Sequence, residues 1–186
     1  MNILLTGRPG VGKTTLIKRF IDSVPISKDG FYTEEIRKGK ERTGFSLTTL
    51  DGNRSILASV SIGGPHRVGK YGVDVDSFEK FGVESIRKAM LKKGLIIIDE
   101  IGKMELFSKK FRELVIQALN TGRVIATIKK SSTGYIDEIR SRRDVRLLEV
   151  NYQNRDALLG KIKDMVANLA VMAGSFRRNK EEEERK

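Results

Sequence analysis

Residues 7–14 have the types and spacing needed to hold a chain of phosphates. They read Gly-Arg-Pro-Gly-Val-Gly-Lys-Thr, which satisfies the pattern G-x-x-x-x-G-K-[ST] in full. The glycines let backbone N–H groups point at phosphate oxygens, and a following helix adds the positive end of its dipole. In this Walker A pattern Lys13 reaches the β- and γ-phosphates, and the Thr14 hydroxyl is a ligand for Mg²⁺. The sequence therefore predicts a phosphate-binding loop with Lys13 as a catalytic residue.

A second run supplies the carboxylates that such a site requires. Residues 95–98 are Leu-Ile-Ile-Ile, and Asp99 and Glu100 follow them. An acid at the end of a buried strand lies where open α/β sheets bind their ligands. We assign Asp99 to Mg²⁺, directly or through water, in the Walker B role. We assign Glu100 to catalysis, because a carboxylate next to the metal-binding aspartate can orient a water for attack on the γ-phosphate.

The rest of the composition narrows the chemistry. There is no cysteine and one histidine, so disulfides, thiolate nucleophiles and zinc sites built from Cys or His are excluded, and any metal must have oxygen ligands. We expect a structural rather than catalytic role for His66, and the same for Thr127, although Thr127 is also a candidate sensor of the γ-phosphate. Phosphoryl transfer usually needs a further cation. The sequence singles out none, and the candidates are Arg8, Arg67, Lys70, Lys103, Arg140, Arg142 and Arg143.

Alternating strand and helix patterns position these residues. Four apolar runs are typical of strands buried on both faces, at 2–6, 95–99, 124–128 and 145–150. Five segments have helical periodicity, at 13–24, 76–93, 108–119, 134–141 and 158–169. Strands that alternate with amphipathic helices predict a three-layer α/β domain with a largely parallel sheet.

Residues 30–60 follow a different pattern. Strand-like stretches occur at about 30–37, 43–50 and 54–60, and the tight-turn signal Asp51-Gly52 separates the last two. We predict a small antiparallel meander that extends one side of the sheet, followed by a glycine-rich loop at 61–75. Asp76 and Glu79 are predicted to form a capping box for the next helix, which Gly82 interrupts or kinks.

The chain is predicted to be one domain, residues 1–173, with a charged and disordered tail at 174–186. No apolar run approaches the roughly 18 residues of a membrane span, and the N-terminus lacks the features of a secretory signal. We therefore expect a cytoplasmic protein with no membrane partner. The net charge of +12 suits an anionic partner, but it does not choose between a nucleotide and a nucleic acid.

Several segments occur together and in order: GRPGVGKTTL, GFYTEEIRKGKERTGFSLTTLDG, RVGKYGVDVDSFE, IIIDEIGKMELFSKKF and the late Asn154-Arg155-Asp156. With them the chain resembles the small P-loop nucleoside triphosphatases first known from thermophiles, which include the cancer-related nucleoside triphosphatase. The resemblance covers about residues 2–170, and its later motifs are more specific than the phosphate loop alone. The clearest departures from the family are the charged tail and Lys129-Lys130.

The resemblance implies a single-domain enzyme of the additional-strand, catalytic-glutamate (RecA-like) class. Its family hydrolyses ATP, GTP and other nucleoside triphosphates to the diphosphate and phosphate, slowly and with broad base tolerance. The lack of a guanine-reading Asn-Lys-x-Asp motif agrees with that tolerance. We expect a monomer that uses Mg²⁺, held by Thr14 and Asp99. The residues expected to contact the nucleotide are Gly7, Arg8, Pro9, Gly10, Val11, Gly12, Lys13, Thr14, Thr15, Asp99, Glu100, Ile101 and Gly102.

Two other functions are compatible with the sequence. A nucleotide or nucleoside kinase has the same phosphate loop and size, but the adjacent acids and the lack of a clear arginine-rich lid argue against it. A nucleotide-regulated, RNA-associated switch would suit the basic charge. However, charge runs are usually solvated faces, and an aromatic content of 6% leaves few platforms for stacking bases.

Overall fold

The computed structural model describes residues 1–130 and 134–168. The strands in these ranges are β1 (Asn2–Thr6), β2 (Lys28–Lys38), β3 (Glu41–Thr49), β4 (Arg54–Ser59), β5 (Arg67–Val68), β6 (Tyr71–Val73), β7 (Leu95–Ile101), β8 (Val124–Ile128) and β9 (Val145–Glu149). The helices are α1 (Lys13–Ser23), α2 (Val75–Phe78), α3 (Glu84–Leu91), α4 (Lys109–Asn120), α5 (Gly134–Arg140) and α6 (155–168). A short 3₁₀ turn occupies Glu105–Phe107.

All these strands belong to one mixed sheet, in the order β5-β6-β4-β3-β2-β7-β8-β1-β9. The run from β2 to β9 is parallel throughout. Strand β8 therefore lies between β1, which leads into the phosphate loop, and β7, which carries the acidic pair. The carboxyl ends of these three strands meet at one edge of the sheet, where an open α/β sheet binds its ligands.

The other half of the sheet is antiparallel. Strands β2, β3 and β4 pair in sequence, so the predicted meander is confirmed. The prediction of a loop over 61–75 was wrong in part, because β5 and β6 form a hairpin and β6 pairs with β4. The hairpin is held by burial: Tyr71 is 8% exposed and Val73 6% exposed. The antiparallel part is thus larger than the sequence indicated.

The apolar side chains of the parallel strands alternate between two cores, as the pleat requires. On one face Leu4, Ile96 and Ile98 pack with helices α3, α4 and α5. On the other face Ile3 and Ile97 pack with α1 and α6. Helices cover both faces of the sheet, so the three-layer α/β prediction is confirmed.

The start of the helical segment after the hairpin differs from the prediction. The N-cap is Asp74, whose side chain accepts a hydrogen bond from the backbone N–H of Ser77, so the predicted capping box of Asp76 and Glu79 was wrong. Glu79 instead accepts a 2.7 Å hydrogen bond from the hydroxyl of Ser108. Ser108 caps α4, because its side-chain oxygen accepts a hydrogen bond from the backbone N–H of Phe111.

The predicted interruption at Gly82 is confirmed. A π-helical turn over Glu79–Val83 separates α2 from α3 and contains this glycine. A Cβ at Gly82 would lie 2.6 Å from the ring of Phe78 and 2.9 Å from Leu47. Only glycine lets the turn pack this closely against the core.

Two further sequence predictions concern membrane spans and the C-terminal tail. No helix within residues 1–130 and 134–168 is long and apolar enough to cross a membrane. The final helix α6 is described as far as residue 168, and the predicted tail at 174–186 lies outside the described residues.

Candidate functional site

The phosphate loop runs from the end of β1 to the start of α1. Gly12 caps α1 with φ +99°, in the left-handed region that side chains disfavour. Its carbonyl accepts the first helical hydrogen bond, at 2.9 Å from the backbone N of Leu16. The glycine therefore lets the chain turn into the helix while the N–H groups of its first turn stay available for an anion.

The start of the loop packs against the segment that follows β9. A Cβ on Gly7 would lie 2.4 Å from the carbonyl oxygen of Val150, so only glycine fits there. The backbone N–H of Val150 donates a 2.7 Å hydrogen bond to the carbonyl of Thr6. The chain after β9 therefore begins directly beside the phosphate loop.

Lys13 lies folded back over the loop. Its Nζ donates to the carbonyl oxygens of Gly7 at 3.2 Å and Arg8 at 3.4 Å. These contacts hold the ammonium group over the curled backbone, where the predicted phosphates would lie. The role of Lys13 in binding the β- and γ-phosphates stays a prediction.

Asp99 is buried at a bulge in β7. Ile98 pairs with Ala126 and Ile101 with Ile128, so two residues of β7 oppose one residue of β8. The peptide between Asp99 and Glu100 is cis. A bulge re-aims the side chains around it, and here it presents both acids at the carboxyl edge of the sheet.

The two oxygens of the Asp99 carboxylate have different surroundings. Its Oδ1 accepts a hydrogen bond from the hydroxyl of Thr127, so Thr127 orients Asp99. Burial raises the pKa of Asp99, and the hydroxyls of Thr127 and Thr14, the backbone N–H of Thr33 and the charge of Lys13 oppose that rise. The second oxygen, Oδ2, is buried without a hydrogen-bond partner among the described residues.

This arrangement fits a hard divalent cation. A buried carboxylate oxygen without a partner is costly unless a ligand satisfies it. The hydroxyl of Thr14 lies near enough to Asp99 to oppose the rise in its pKa. A carboxylate and a hydroxyl are oxygen ligands of the kind that Mg²⁺ takes, together with water and phosphate oxygens.

Glu100 shares its surroundings with a second glutamate that the sequence analysis missed. A Cβ on Gly102 would lie 3.0 Å from Oε1 of Glu100 and 2.9 Å from Oε2 of Glu105, so both carboxyls flank this glycine. Burial raises the pKa of Glu100, as does Asp99, while the charges of Lys13 and Lys129 lower it. Burial and the charge of Glu100 raise the pKa of Glu105 to about 8. Glu105 is therefore mostly protonated at neutral pH.

We expect Glu105→Gln to flatten the dependence of stability on pH. The folded pKa of Glu105 lies above its unfolded value of about 4.3, so its contribution to stability is complete below that value and is lost as the pH rises towards 8. Glutamine cannot ionise, so the variant should avoid a loss of about 1 kcal/mol per pH unit over this window. Urea unfolding at pH 5, 6.5 and 8 measures the effect.

The control for this experiment is Glu113→Gln, which changes a glutamate that is 60% exposed on α4. This variant should keep the wild-type slope of stability against pH. Parallel slopes for the wild type and Glu105→Gln would show that Glu105 ionises in the folded protein as it does in the unfolded chain.

The loop and the glutamates open into one cavity of 740 Å³. It extends past the acids to the antiparallel meander, where Phe45, Leu57 and Val68 form part of its wall. Two lysines also line it, Lys103 and Lys129. Burial lowers the pKa of Lys129, and the charge of Lys103 lowers it further, so the two ammonium groups lie close together near Glu100.

Several other predicted cations are engaged elsewhere. Arg67 donates to the backbone carbonyls of Ile62, which precedes β5, and of Lys70 in the turn of the β5–β6 hairpin. Lys70 pairs with Glu41 at 2.7 Å, and Arg142 pairs with Asp144 at 2.8 Å. Of the candidate cations, Lys103 is the one that lines the cavity.

The structure brings most of the predicted nucleotide-binding residues together. The residues of this set that line the cavity are Pro9, Gly10, Gly12, Lys13, Thr14, Thr15, Glu100 and Gly102. Val11 is 3% exposed and Ile101 is fully buried, so their side chains belong to the core. Arg8 is exposed and helps to lower the pKa of Glu149.

Comparison with known proteins gives consistent matches over most of the chain. A family model described as NTPase matches residues 2–163. Nucleoside-triphosphatase THEP1 of Thermotoga maritima is 52% identical, over 87% of this chain and 93% of its own length. The human cancer-related nucleoside-triphosphatase is 43% identical, over 87% and 94%. The crystal structure of THEP1 from Aquifex aeolicus, 40% identical, superposes with a TM-score of 0.81 over 87% of this chain and 96% of that one.

Proposed function

Because the chain belongs to the nucleoside-triphosphatase family, whose members are hydrolases, we propose that it hydrolyses ATP, GTP and other nucleoside triphosphates slowly, with Mg²⁺ and broad base specificity. The observation that carries this proposal is the position of Glu100. Its carboxyl lines the same cavity as Lys13 and directly follows the buried Asp99. A carboxylate at that position is suited to a water nucleophile.

In the proposed reaction Lys13 and the N–H groups of the loop bind the β- and γ-phosphates. Glu100 accepts a proton from a water whose oxygen forms a bond to the γ-phosphorus. The bond from that phosphorus to the β,γ-bridging oxygen breaks, and the products are the diphosphate and phosphate. Lys103 and Lys129 are the cations placed to stabilise the charge that develops on the transferred group.

Thr14 and Asp99 are the residues that would hold Mg²⁺. The partnerless Oδ2 of Asp99 supports this assignment. When bound, the cation would neutralise charge on the β- and γ-phosphate oxygens. Thr127 would keep the Asp99 carboxylate in a fixed orientation through its hydrogen bond to Oδ1.

Two features of the fold support the additional-strand, catalytic-glutamate class. Strand β8 lies between β1 and β7, so the strands that carry the phosphate loop and the acidic pair are not neighbours. Glu100 comes directly after Asp99.

The proposal is tested by phosphate release from ATP, GTP, CTP and UTP without an acceptor, with Mg²⁺ and with EDTA. We expect release from all four that requires the metal and produces one diphosphate per phosphate. Tight binding without release from any of the four would contradict the proposed breadth and water chemistry.

The size of the cavity favours one second candidate, a kinase. The space beyond Glu100 reaches an apolar wall at Phe45, Leu57 and Val68, which hydrolysis alone does not require. A nucleoside or similar acceptor bound there would present its hydroxyl to Glu100 in place of water. A kinase would consume one ATP for each molecule of acceptor that it phosphorylates. A hydrolase would consume ATP without forming a phosphorylated acceptor.

A further inference from the structure

We propose that Tyr152 and Arg155 form a stacking platform for the base of the bound nucleotide. The ligand is a purine or pyrimidine ring, recognised by its face rather than by its edge. This inference rests on the proposed function, since it names how the same site holds the other end of its substrate.

The platform lies beside the phosphate loop. The segment after β9 is fixed there by the contact between Val150 and Gly7. The backbone N–H of Arg155 donates a 3.1 Å hydrogen bond to the carbonyl of Asn151. The side chain of Arg155 reaches Gly12, where its Nη1 lies 3.5 Å from the place that a Cβ would occupy. The guanidinium is therefore at the start of α1.

Two cavities meet at this point. Glu100, Gly12 and Thr15 all line the large cavity. A smaller one of 130 Å³ shares Gly12 and Thr15 and continues to Arg155. A nucleotide whose phosphates lie over the loop at Gly12 would therefore have the smaller cavity beside it, where its sugar and base can extend to Arg155.

The side chains of the platform are available for a ligand. The ring of Tyr152 is 70% exposed, and the Arg155 guanidinium lies 5.8 Å from its centroid. Arg155 forms no salt bridge with any other described residue, whereas the adjacent Asp156 pairs with Arg19 at 2.6 Å. An exposed ring and a planar guanidinium without a carboxylate partner are the groups on which bases stack.

The neighbouring amides are occupied in holding the turn. Asn154 donates a 2.8 Å hydrogen bond to the carbonyl of Glu149 and accepts one from the backbone N–H of Asn151. The side-chain oxygen of Asn151 accepts from the backbone N–H groups of Gln153 and Asn154. A base bound here meets a π face and a cation, which all four bases accept. This arrangement provides a physical reason for broad base tolerance.

The test uses the variant Tyr152→Ala. Calorimetric titrations in the presence of Mg²⁺ measure its affinity for the β,γ-methylene analogues of ATP and CTP. We expect the affinity for the ATP analogue to fall about fivefold to tenfold. This is the low end of the effect that loss of one base–aromatic stack has on affinity. The CTP analogue should lose less, because its ring is smaller. Inorganic tripolyphosphate, which has no base, should bind as tightly as to the wild type.

Three controls separate the outcomes. Tyr152→Phe keeps the ring and should bind as the wild type does. Leu91→Ala removes another exposed apolar side chain, which is 85% exposed at the end of α3, and should change nothing. Lys13→Ala should weaken the nucleotide analogues and tripolyphosphate together.

The platform is refuted if Tyr152→Ala binds the ATP analogue normally while Lys13→Ala weakens it, and the proposed function then stands. It is also refuted if Tyr152→Ala weakens tripolyphosphate as much as the nucleotide, because the substitution would then act on the phosphate loop. Normal binding of every ligand by Lys13→Ala would instead refute the proposed site itself.

Discussion

Glu100→Gln is expected to bind nucleoside triphosphates normally and to lose most of their hydrolysis. Glutamine keeps the size of the side chain and can still contact a water, but it cannot accept the proton. Loss of a general base typically lowers a rate 10²- to 10⁴-fold, so we expect turnover to fall by about that factor. Binding of an ATP analogue should stay within about twofold, since Glu100 contacts the attacking water rather than the phosphates in the proposed mechanism.

The pH dependence gives a second measurement of the same role. Burial raises the pKa of Glu100, so the wild type should lose activity on the acid side at a pH above the usual range of a glutamate. Below that pKa Glu100 is protonated and cannot accept a proton. The variant should show no such acid limb in its residual activity.

Glu105→Gln is the matched control, because it makes the same Glu-to-Gln substitution at a second glutamate that lines the same cavity. Glu105 is mostly protonated at neutral pH, so glutamine replaces a group that is already neutral. Its turnover at pH 7 should stay within about tenfold of the wild type. Hydrolysis by Glu100→Gln at the wild-type rate would remove Glu100 from the mechanism.

Lys13→Ala is expected to lose affinity and turnover together. Its ammonium lies over the phosphate loop, held by the carbonyls of Gly7 and Arg8. A hydrogen bond to a charged group contributes about 1.5–3 kcal/mol, so affinity for an ATP analogue should fall roughly 10- to 100-fold. Because the same charge faces the transferred phosphate, turnover at saturation should also fall, by about 10²-fold or more.

Lys109→Ala is the control for charge alone. Lys109 is 81% exposed on α4, with a partner at 3.8 Å, so removing it lowers the net charge by the same amount without touching the loop. If both variants weaken binding equally, the attraction comes from the overall charge of the protein rather than from Lys13. Salt dependence that matches between the wild type and Lys13→Ala would support the same conclusion.

The parallel half of the sheet could be predicted because its strands leave a strong signal. Runs such as Leu95–Ile98 are apolar at every position, as burial on both faces requires. The hairpin of β5 and β6 leaves no comparable signal, because strands of two and three residues show no periodicity. The choice of Asp74 over Asp76 as a cap depends on where the chain leaves β6, which local sequence does not specify.

Sequence motifs likewise located one part of the candidate site and not the other. The phosphate loop and the acidic pair are contiguous in sequence, so motif and context located them. Glu105 follows Glu100 by five residues, but its burial depends on packing around Gly102, which no pattern records. Tyr152 and Arg155 lie more than a hundred residues from the loop, and it is the contacts of Val150 with Gly7 and of Arg155 with Gly12 that show this segment adjoins it.

The cluster of Asp99, Glu100 and Glu105 sets a trade-off between activity and stability. Burial raises the pKa of all three carboxyls, so ionising them costs folding free energy, and in the proposed site a cation held by Asp99 would offset part of that cost. Substitutions that neutralise these acids would make the resting protein more durable and less active, as is common at active sites. Selection for thermal stability alone would therefore be expected to replace these three acids early.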